Sequence, residues 1–189
     1  MGISDGTNGT IGLASNYTLD SGSFDITTKP ITLSGSRQYD GTTDVASSDL
    51  TLIGLVSGES ISIVGTGSVT DKNVGAGKTI NTTGLSLADN TSNASNYSLS
   101  TGTFTINNKI LSISGTRAYD GSTTVSSGNI SFDGLIGSET LNKSGSVSTS
   151  SPNASTYGSA SINTTALLLS DGSNGGIISN YTLLGGSHS

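Results

Sequence analysis

The side chains that could do chemistry are few, and most of them come in pairs. The chain has two arginines, Arg37 and Arg117, and two glutamates, Glu59 and Glu139, each pair 80 residues apart (117 − 37 = 80; 139 − 59 = 80). Lys29 and Lys109 keep the same distance. Glycoside hydrolysis needs two carboxyl groups flanking one bond, and glutamates that occupy equivalent positions of consecutive units do not meet that geometry. A Ser-His-Asp relay needs a histidine held by structured neighbours, yet the one histidine, His188, is the penultimate residue. Cysteine is absent, which removes thiolate nucleophiles, thiolate zinc sites and disulfides. The expectation is no enzyme, with no catalytic, cofactor-binding or metal-binding residue and no cofactor.

The remaining candidates have a plain structural reading beside the chemical one. Asp40, Asp44, Asp71, Asp89 and Asp120 carry the oxygen ligands that calcium takes, but none has the D-x-D-x-D-G spacing, and all read as turn formers. Gly65-Thr-Gly67 and Gly75-Ala-Gly77 lack the strand, helix and lysine of a phosphate cradle and read as hairpin punctuation. Arg37 with Glu59, and Arg117 with Glu139, read as an ion pair inside each unit, since these rare charges recur together. Asn16, Asn96, Asn153, Asn163 and Asn180 head Asn-x-Ser/Thr triplets that could accept glycans; in a chain so rich in Ser, Thr and Asn such triplets also arise by chance. Lys29 and Lys109 stand beside strand ends, where a Lys-Asn isopeptide cross-link could form. That reaction needs a buried lysine beside an acid, and no acid recurs next to either.

The pairing itself is the organisation. Ser34-Gly-Ser-Arg-Gln-Tyr-Asp-Gly-Thr-Thr43 returns as Ser114-Gly-Thr-Arg-Ala-Tyr-Asp-Gly-Ser-Thr123, a tandem repeat that must be recognised before anything else is assigned. Ser15-Asn-Tyr-Thr-Leu19, Ser95-Asn-Tyr-Ser-Leu99 and Ser179-Asn-Tyr-Thr-Leu183 bracket two full units. Residues 1–29 therefore read as the tail of a preceding repeat, with repeats at 30–109 and 110–189. Ile80-Asn-Thr-Thr83 and Ile162-Asn-Thr-Thr165 are 82 apart (162 − 80 = 82), which places a two-residue insertion between Val147 and Ile162. The turns at Tyr39 and Tyr119 are expected in equivalent places.

The segments that carry these residues alternate apolar and polar positions, as in Gly22-Ser-Phe-Asp-Ile26, Gly102-Thr-Phe-Thr-Ile106, Ile31-Thr-Leu33 and Leu111-Ser-Ile113, and Gly, Asn, Asp and Ser separate them. No helical period is present. The fold class predicted is all-β: two tandem, elongated, β-sandwich-like modules of immunoglobulin type, with a β-helix as the alternative. Around Leu141 the alternation is weaker than in Ile61-Ser-Ile63. Hydrophobic residues make up only 31% against 27 glycines, so each module has a thin core that leans on its neighbours. The Phe-Ile strand is absent after Asn180-Tyr181. If such a strand closes the module it follows, the second module has an open edge, and the N-terminal segment either adds to another molecule's second module or folds onto its own first module.

A net charge of −6 lacks the basic footprint of nucleic-acid binding, and no apolar run is long enough to insert in a membrane. The start, Met1-Gly2-Ile3-Ser4-Asp5-Gly6, has neither the basic and apolar regions of a signal peptide nor a myristoylation signal, and reads as the interior of a longer protein. The repeated Ser-Gly-x-Arg-x-Tyr-Asp-Gly motif is followed by Gly-Leu-(Val/Ile)-x-x-Glu, Asp71-Lys-Asn-Val-Gly-Ala-Gly-Lys78, Gly84-Leu-Ser-Leu87 and Asn96-Tyr-Ser-Leu99. This set resembles the YDG repeat of large bacterial surface adhesins related to filamentous haemagglutinin. The second unit departs from it, with Ser148-Thr-Ser-Ser-Pro-Asn-Ala-Ser155 in place of the Asp-Lys-Asn-Val-Gly stretch. The resemblance implies an extracellular, cell-surface location and a part in adhesion or biofilm, as non-catalytic stalk modules extending a binding tip. The alternative is that the modules bind host or biofilm glycan or matrix protein directly. The partners expected are neighbouring repeats of the parent adhesin, and it supplies no catalytic or binding residue.

Overall fold

The computed structural model describes residues 3–6 and 13–184, and its strands follow the alternation of the sequence. The first module holds β1 (Lys29–Gln38), β2 (Asp44–Ala46), β3 (Leu50–Ile53), β4 (Ile61–Ser68), β5 (Gly75–Thr79), β6 (Leu85–Asp89), β7 (Tyr97–Leu99) and β8 (Thr103–Asn107). The second holds β9 (Lys109–Ser114), β10 (Thr124–Ser126), β11 (Ser131–Asp133), β12 (Leu141–Thr149), β13 (Ile162–Asn163), β14 (Leu167–Asp171) and β15 (Tyr181–Leu183). In β1, Ile31 and Leu33 are buried while Pro30 and Thr32 face solvent; in β8, Phe104 and Ile106 are buried and Thr103 is exposed. The helical turns among the described residues are three-residue 3-10 turns.

One sheet of the first module runs β3-β1-β8-β5, and the other runs β2-β4-β6. β1 has two parallel neighbours in succession. Its first residues pair with β7, Lys29 opposite Tyr97, and its second half pairs with β8, Gly35 opposite Phe104 and Arg37 opposite Ile106. The second module repeats the plan as β11-β9-β15 and as β12 flanked by β10, β13 and β14. Among the described residues no sheet closes into a barrel, and the architecture is that of β-sandwich modules. Eight of the pairings are antiparallel, whereas the coils of a β-helix pair in parallel, so the solenoid alternative falls.

The glycine pair read as hairpin punctuation lies inside a strand instead. Residues 61–65 of β4 pair with β6 and residues 66–68 pair with β2. Gly65 stands at the change of partner with φ 95°, where a Cβ would collide with the Gly84 carbonyl oxygen; Gly145 repeats this in β12 with φ 80°, against Ala166. Only glycine allows a strand to turn from one sheet to the other there. Gly75 and Gly77 belong to β5, whose register slips between Gly75 and Lys78. β12 is a full-length counterpart of β4 despite the weak alternation at Leu141, because β14 covers it along Leu141–Gly145.

Ser68 bridges Asn81 and Ser148 pairs with Asn163. The spacings, 148 − 68 = 80 and 163 − 81 = 82, put the two extra residues between those strands. There the first module has β5, and residues 150–158 of the second form no strand. An apolar cluster runs through both modules, from Leu33, Ile80, Phe104 and Ile106 to Leu111, Val147 and Tyr181, while Ile31, Ile61, Ala94 and Tyr97 form a smaller one.

Candidate functional site

The Tyr-Asp-Gly turn is built by the arginine before it. The Asp40 carboxylate accepts the Thr42 N–H and hydroxyl, both at 2.9 Å, and pairs with the Arg37 guanidinium, which also donates from Nη2 to the Thr42 carbonyl at 2.7 Å and from Nε to the Asp44 carbonyl at 3.2 Å. The second module repeats this, Asp120 accepting Ser122 N–H at 2.9 Å and pairing with Arg117. The Ser122 N–H, then the guanidinium, hold the Asp120 carboxyl below its usual range. The expected ion pairs of Arg37 with Glu59 and Arg117 with Glu139 are therefore wrong. A guanidinium has five donors in a fixed fork, and an acid three residues away with two carbonyls satisfies them locally.

The glutamates serve the tyrosines. Tyr39, fully buried, crosses to the second module and donates its hydroxyl to Glu139 Oε1 at 2.6 Å, while Tyr181 donates to Oε2 at 2.6 Å. Lys72 donates to Oε1 at 3.0 Å and lies 5.8 Å from the Tyr39 ring centre. The two tyrosine rings meet edge to face, centres 5.5 Å apart. A buried carboxylate is costly unless it is paired and hydrogen-bonded, and here both oxygens are occupied by donors from two modules. Burial pushes the Glu139 carboxyl up, but Tyr181, Tyr39 and Lys72 outweigh it and hold the group below the ordinary carboxylate value. Burial, then the Glu139 carboxylate, pushes both phenols up, and Glu139 followed by Tyr39 raises the Lys72 ammonium.

Around this centre the two modules interlock. Asn180, fully buried, accepts Val74 N–H at 2.9 Å and donates to Asn73 Oδ1 at 3.0 Å. Asp71 braces that stretch by accepting Asn73 N–H at 2.9 Å and pairing with Lys78 at 2.8 Å. Asn108, the single residue between β8 and β9, donates to the Ser179 carbonyl at 2.7 Å. The Ile136 side chain packs over Gly41, 2.8 Å from where a Cβ would stand. With both of its oxygens taken up by donors, this carboxylate has the chemistry of a clamp.

Each half of the joint recurs at an outer end. Tyr97 donates to Glu59 and accepts Val56 N–H at 3.1 Å, as Tyr181 donates to Glu139 and accepts Ile136 N–H at 3.1 Å. Val56, the counterpart of Ile136, is 50% exposed. At the other end Tyr119 is 69% exposed although its turn matches that of Tyr39. Beside it Gly115, Arg117, Val125, Val147, Tyr157 and Ile162 line a groove of about 530 Å³.

The other candidates are scattered. Asp89 accepts Ala94 N–H at 2.7 Å, and Asp44 contributes its carbonyl to Arg37. Among the described residues no three His, Asp or Glu side chains come together as metal ligands. Asn16, Asn96, Asn153 and Asn163 are exposed, whereas the buried Asn180 is out of reach of a glycan-transferring enzyme in the folded protein. Lys29 is exposed and Lys109 half-buried. His188 lies outside the described residues. What sequence reasoning missed is the tyrosine–glutamate joint, and its signal was present: Tyr39, Glu59 and Tyr97 recur together, as do Tyr119, Glu139 and Tyr181.

Residues 25–105 match the family model of the YDG domain, so the first module is a YDG-type domain. No curated protein and no solved structure matches the chain.

Proposed function

We propose that the YDG-type first module and the repeat behind it are non-catalytic spacer modules of a bacterial cell-surface or secreted adhesin, extending a binding tip from the cell. The observation that carries this reading is the joint. Tyr39, Lys72 and Val74 make hydrogen bonds from one module to Glu139 and Asn180 of the next, and Tyr181 and the Lys78–Asp71 pair brace the two sides. A receptor site would present such residues to solvent; a spacer needs them between units, where they fix the angle from one module to the following one.

NMR relaxation on the 189-residue chain tests the mechanical half of this reading. Both modules should report one common tumbling time, and independent tumbling would overturn it. A panel of glycans and matrix proteins tests the adhesive half, with no saturable binding expected; a saturable ligand would favour direct adhesion instead. Antibodies raised against the chain should label intact cells of the source organism, and labelling that requires lysis would remove the surface location.

A further inference from the structure

The second module has a slot where the first has a strand. In the first module Ser34–Gln38 pairs with β8, and β5 covers the far edge of β8. In the second, β9 stops at Ser114, residues 115–118 have no strand partner among the described residues, and no strand replaces β5. The groove described above lies along that unpaired stretch, floored by Val125, Val147 and Ile162. Their counterparts Val45, Gly67 and Ile80 lie in the first module, where Val45, Ile80, Phe104 and Ile106 belong to one core cluster.

The chain also holds a strand-patterned segment without a slot. Gly22-Ser-Phe24-Asp-Ile26 has the pattern of Gly102-Thr-Phe104-Thr-Ile106, and these are the two Gly-x-Phe-x-Ile segments of the sequence. Phe104 and Ile106 are 0% and 1% exposed; Phe24 and Ile26 are 88% and 90% exposed. The segment before Phe24 already has the local form of a module's tail. Asp5 accepts Ala14 N–H at 2.7 Å before a 3-10 turn at Ala14–Asn16, as Asp89 does for Ala94–Asn96 and Asp171 for Ile178–Asn180.

We propose that the slot beside Gly115–Ala118 takes the Gly22–Ile26 strand of a second copy of the chain, in parallel, with Phe24 opposite Gly115 and Ile26 opposite Arg117. The register is that of Gly35 with Phe104 and Arg37 with Ile106, moved by one repeat. The same molecule cannot supply the strand. Phe24 lies five residues before Lys29 and reaches at most about 18 Å from it, whereas β1 runs roughly 33 Å from Lys29 toward the second module, which docks beyond its far end at Tyr39.

The strand brings a second contact with it. It leads through Thr28 into β1 as β8 leads through Asn108 into β9, so it carries Glu59, Tyr97 and Val56 to Tyr119 and Gly121, as Glu139, Tyr181 and Ile136 stand on Tyr39 and Gly41. Asn153, whose N–H donates to Ser151 at 3.3 Å as Asn73 does to Asp71, is placed for Asn96 of the incoming copy. Pro152 stands where Lys72 would be, so the contact between copies lacks that ammonium. Such a contact is heterologous and does not close, which makes filaments that lengthen with concentration. The slot and the strand stand independently of any role in adhesion.

Light scattering and a designed cross-link test this. The average mass of the intact chain should rise above 18.8 kDa with concentration. The double variant Phe24→Asp, Ile26→Asp should stay at the monomer mass with an unchanged circular dichroism spectrum, since both side chains are exposed in the single molecule. Asp25 and Thr116 face each other in the proposed register, at a spacing that a disulfide spans. In this cysteine-free chain the Asp25→Cys, Thr116→Cys variant should oxidise to a ladder of multiples, while either single variant stops at the dimer. A mass independent of concentration, the same mass growth in the double variant, or a cross-linked monomer without a ladder would each overturn the proposal.

Discussion

The second half of β1 and the stretch that follows β9 are nearly the same sequence in different states. Ser34-Gly-Ser-Arg-Gln38 is strand with β8 at its side, and Gly115-Thr-Arg-Ala118 is irregular without one. Both keep the arginine–aspartate turn after them. The polar stretch thus has little strand preference of its own and becomes a strand through the Phe104 and Ile106 side chains that press against it, as expected when β propensity measures packing on a neighbour. Tyr39 and Tyr119 teach the same lesson one residue on, since the buried one has Glu139 to meet and the exposed one meets no glutamate among the described residues.

The largest effect that could break this comparison is expected at Phe104. Phe104→Ala should cost about 3–5 kcal/mol in urea unfolding and should turn the first module's Ser34–Gln38 into the irregular form. Phe24→Ala, at the equivalent but exposed position, should leave monomer stability within about 0.5 kcal/mol. Equal losses at the two sites would end the claim that only one of these strands is docked.

The joint should respond next. Glu139→Gln removes the charge that two buried phenols and an ammonium point at, and should cost about 1–3 kcal/mol; the outer-end counterpart Glu59→Gln should cost less, as calorimetry on the two variants would show. Acidification sharpens this. Because the folded protein holds Glu139 below its ordinary value of 4.5, that stabilisation is present at neutral pH and is lost as the pH falls below that value toward the folded one. The difference in melting temperature between the wild type and Glu139→Gln should shrink over that acid range; a constant difference would mean that Glu139 acts by shape alone. The smallest effect is expected from Lys72→Met, below about 1 kcal/mol, since the lysine is partly in water.

The repeat, the all-β class and the turn-forming aspartates were legible because each is a local pattern. The insertion was legible from spacing, 80 before it and 82 after it as far as Asp89 and Asp171, beyond which the Asn-Tyr motifs are 84 apart (181 − 97 = 84). For Tyr39 and Glu139 recurrence marked the residues but not the pairing, because their contact joins residues 100 apart (139 − 39 = 100) across two modules, and a repeat does not say which copy meets which. The mistaken arginine–glutamate pairs came from equating recurrence with contact, when the aspartate three residues away was the nearer partner. Gly65 misled for a related reason: a glycine between alternating residues marks a turn or a change of sheet, and only the partners β2 and β6 decide which.

The parallel pairing of β1 with β8 has a mechanical consequence. One strand opens the first module and the other closes it, side by side and in the same direction. Tension that pulls Lys29 one way and Asn107 the other slides them lengthwise past each other, so the bonds from Ser34 to Gln38 bear the load together instead of peeling one by one. Asn108 passes that load directly to β9, where parallel β15 again lies beside the entering strand. The first module is therefore built to resist shear along the line of its neighbours, and the second gains the same resistance only when a strand fills the place beside Gly115–Ala118.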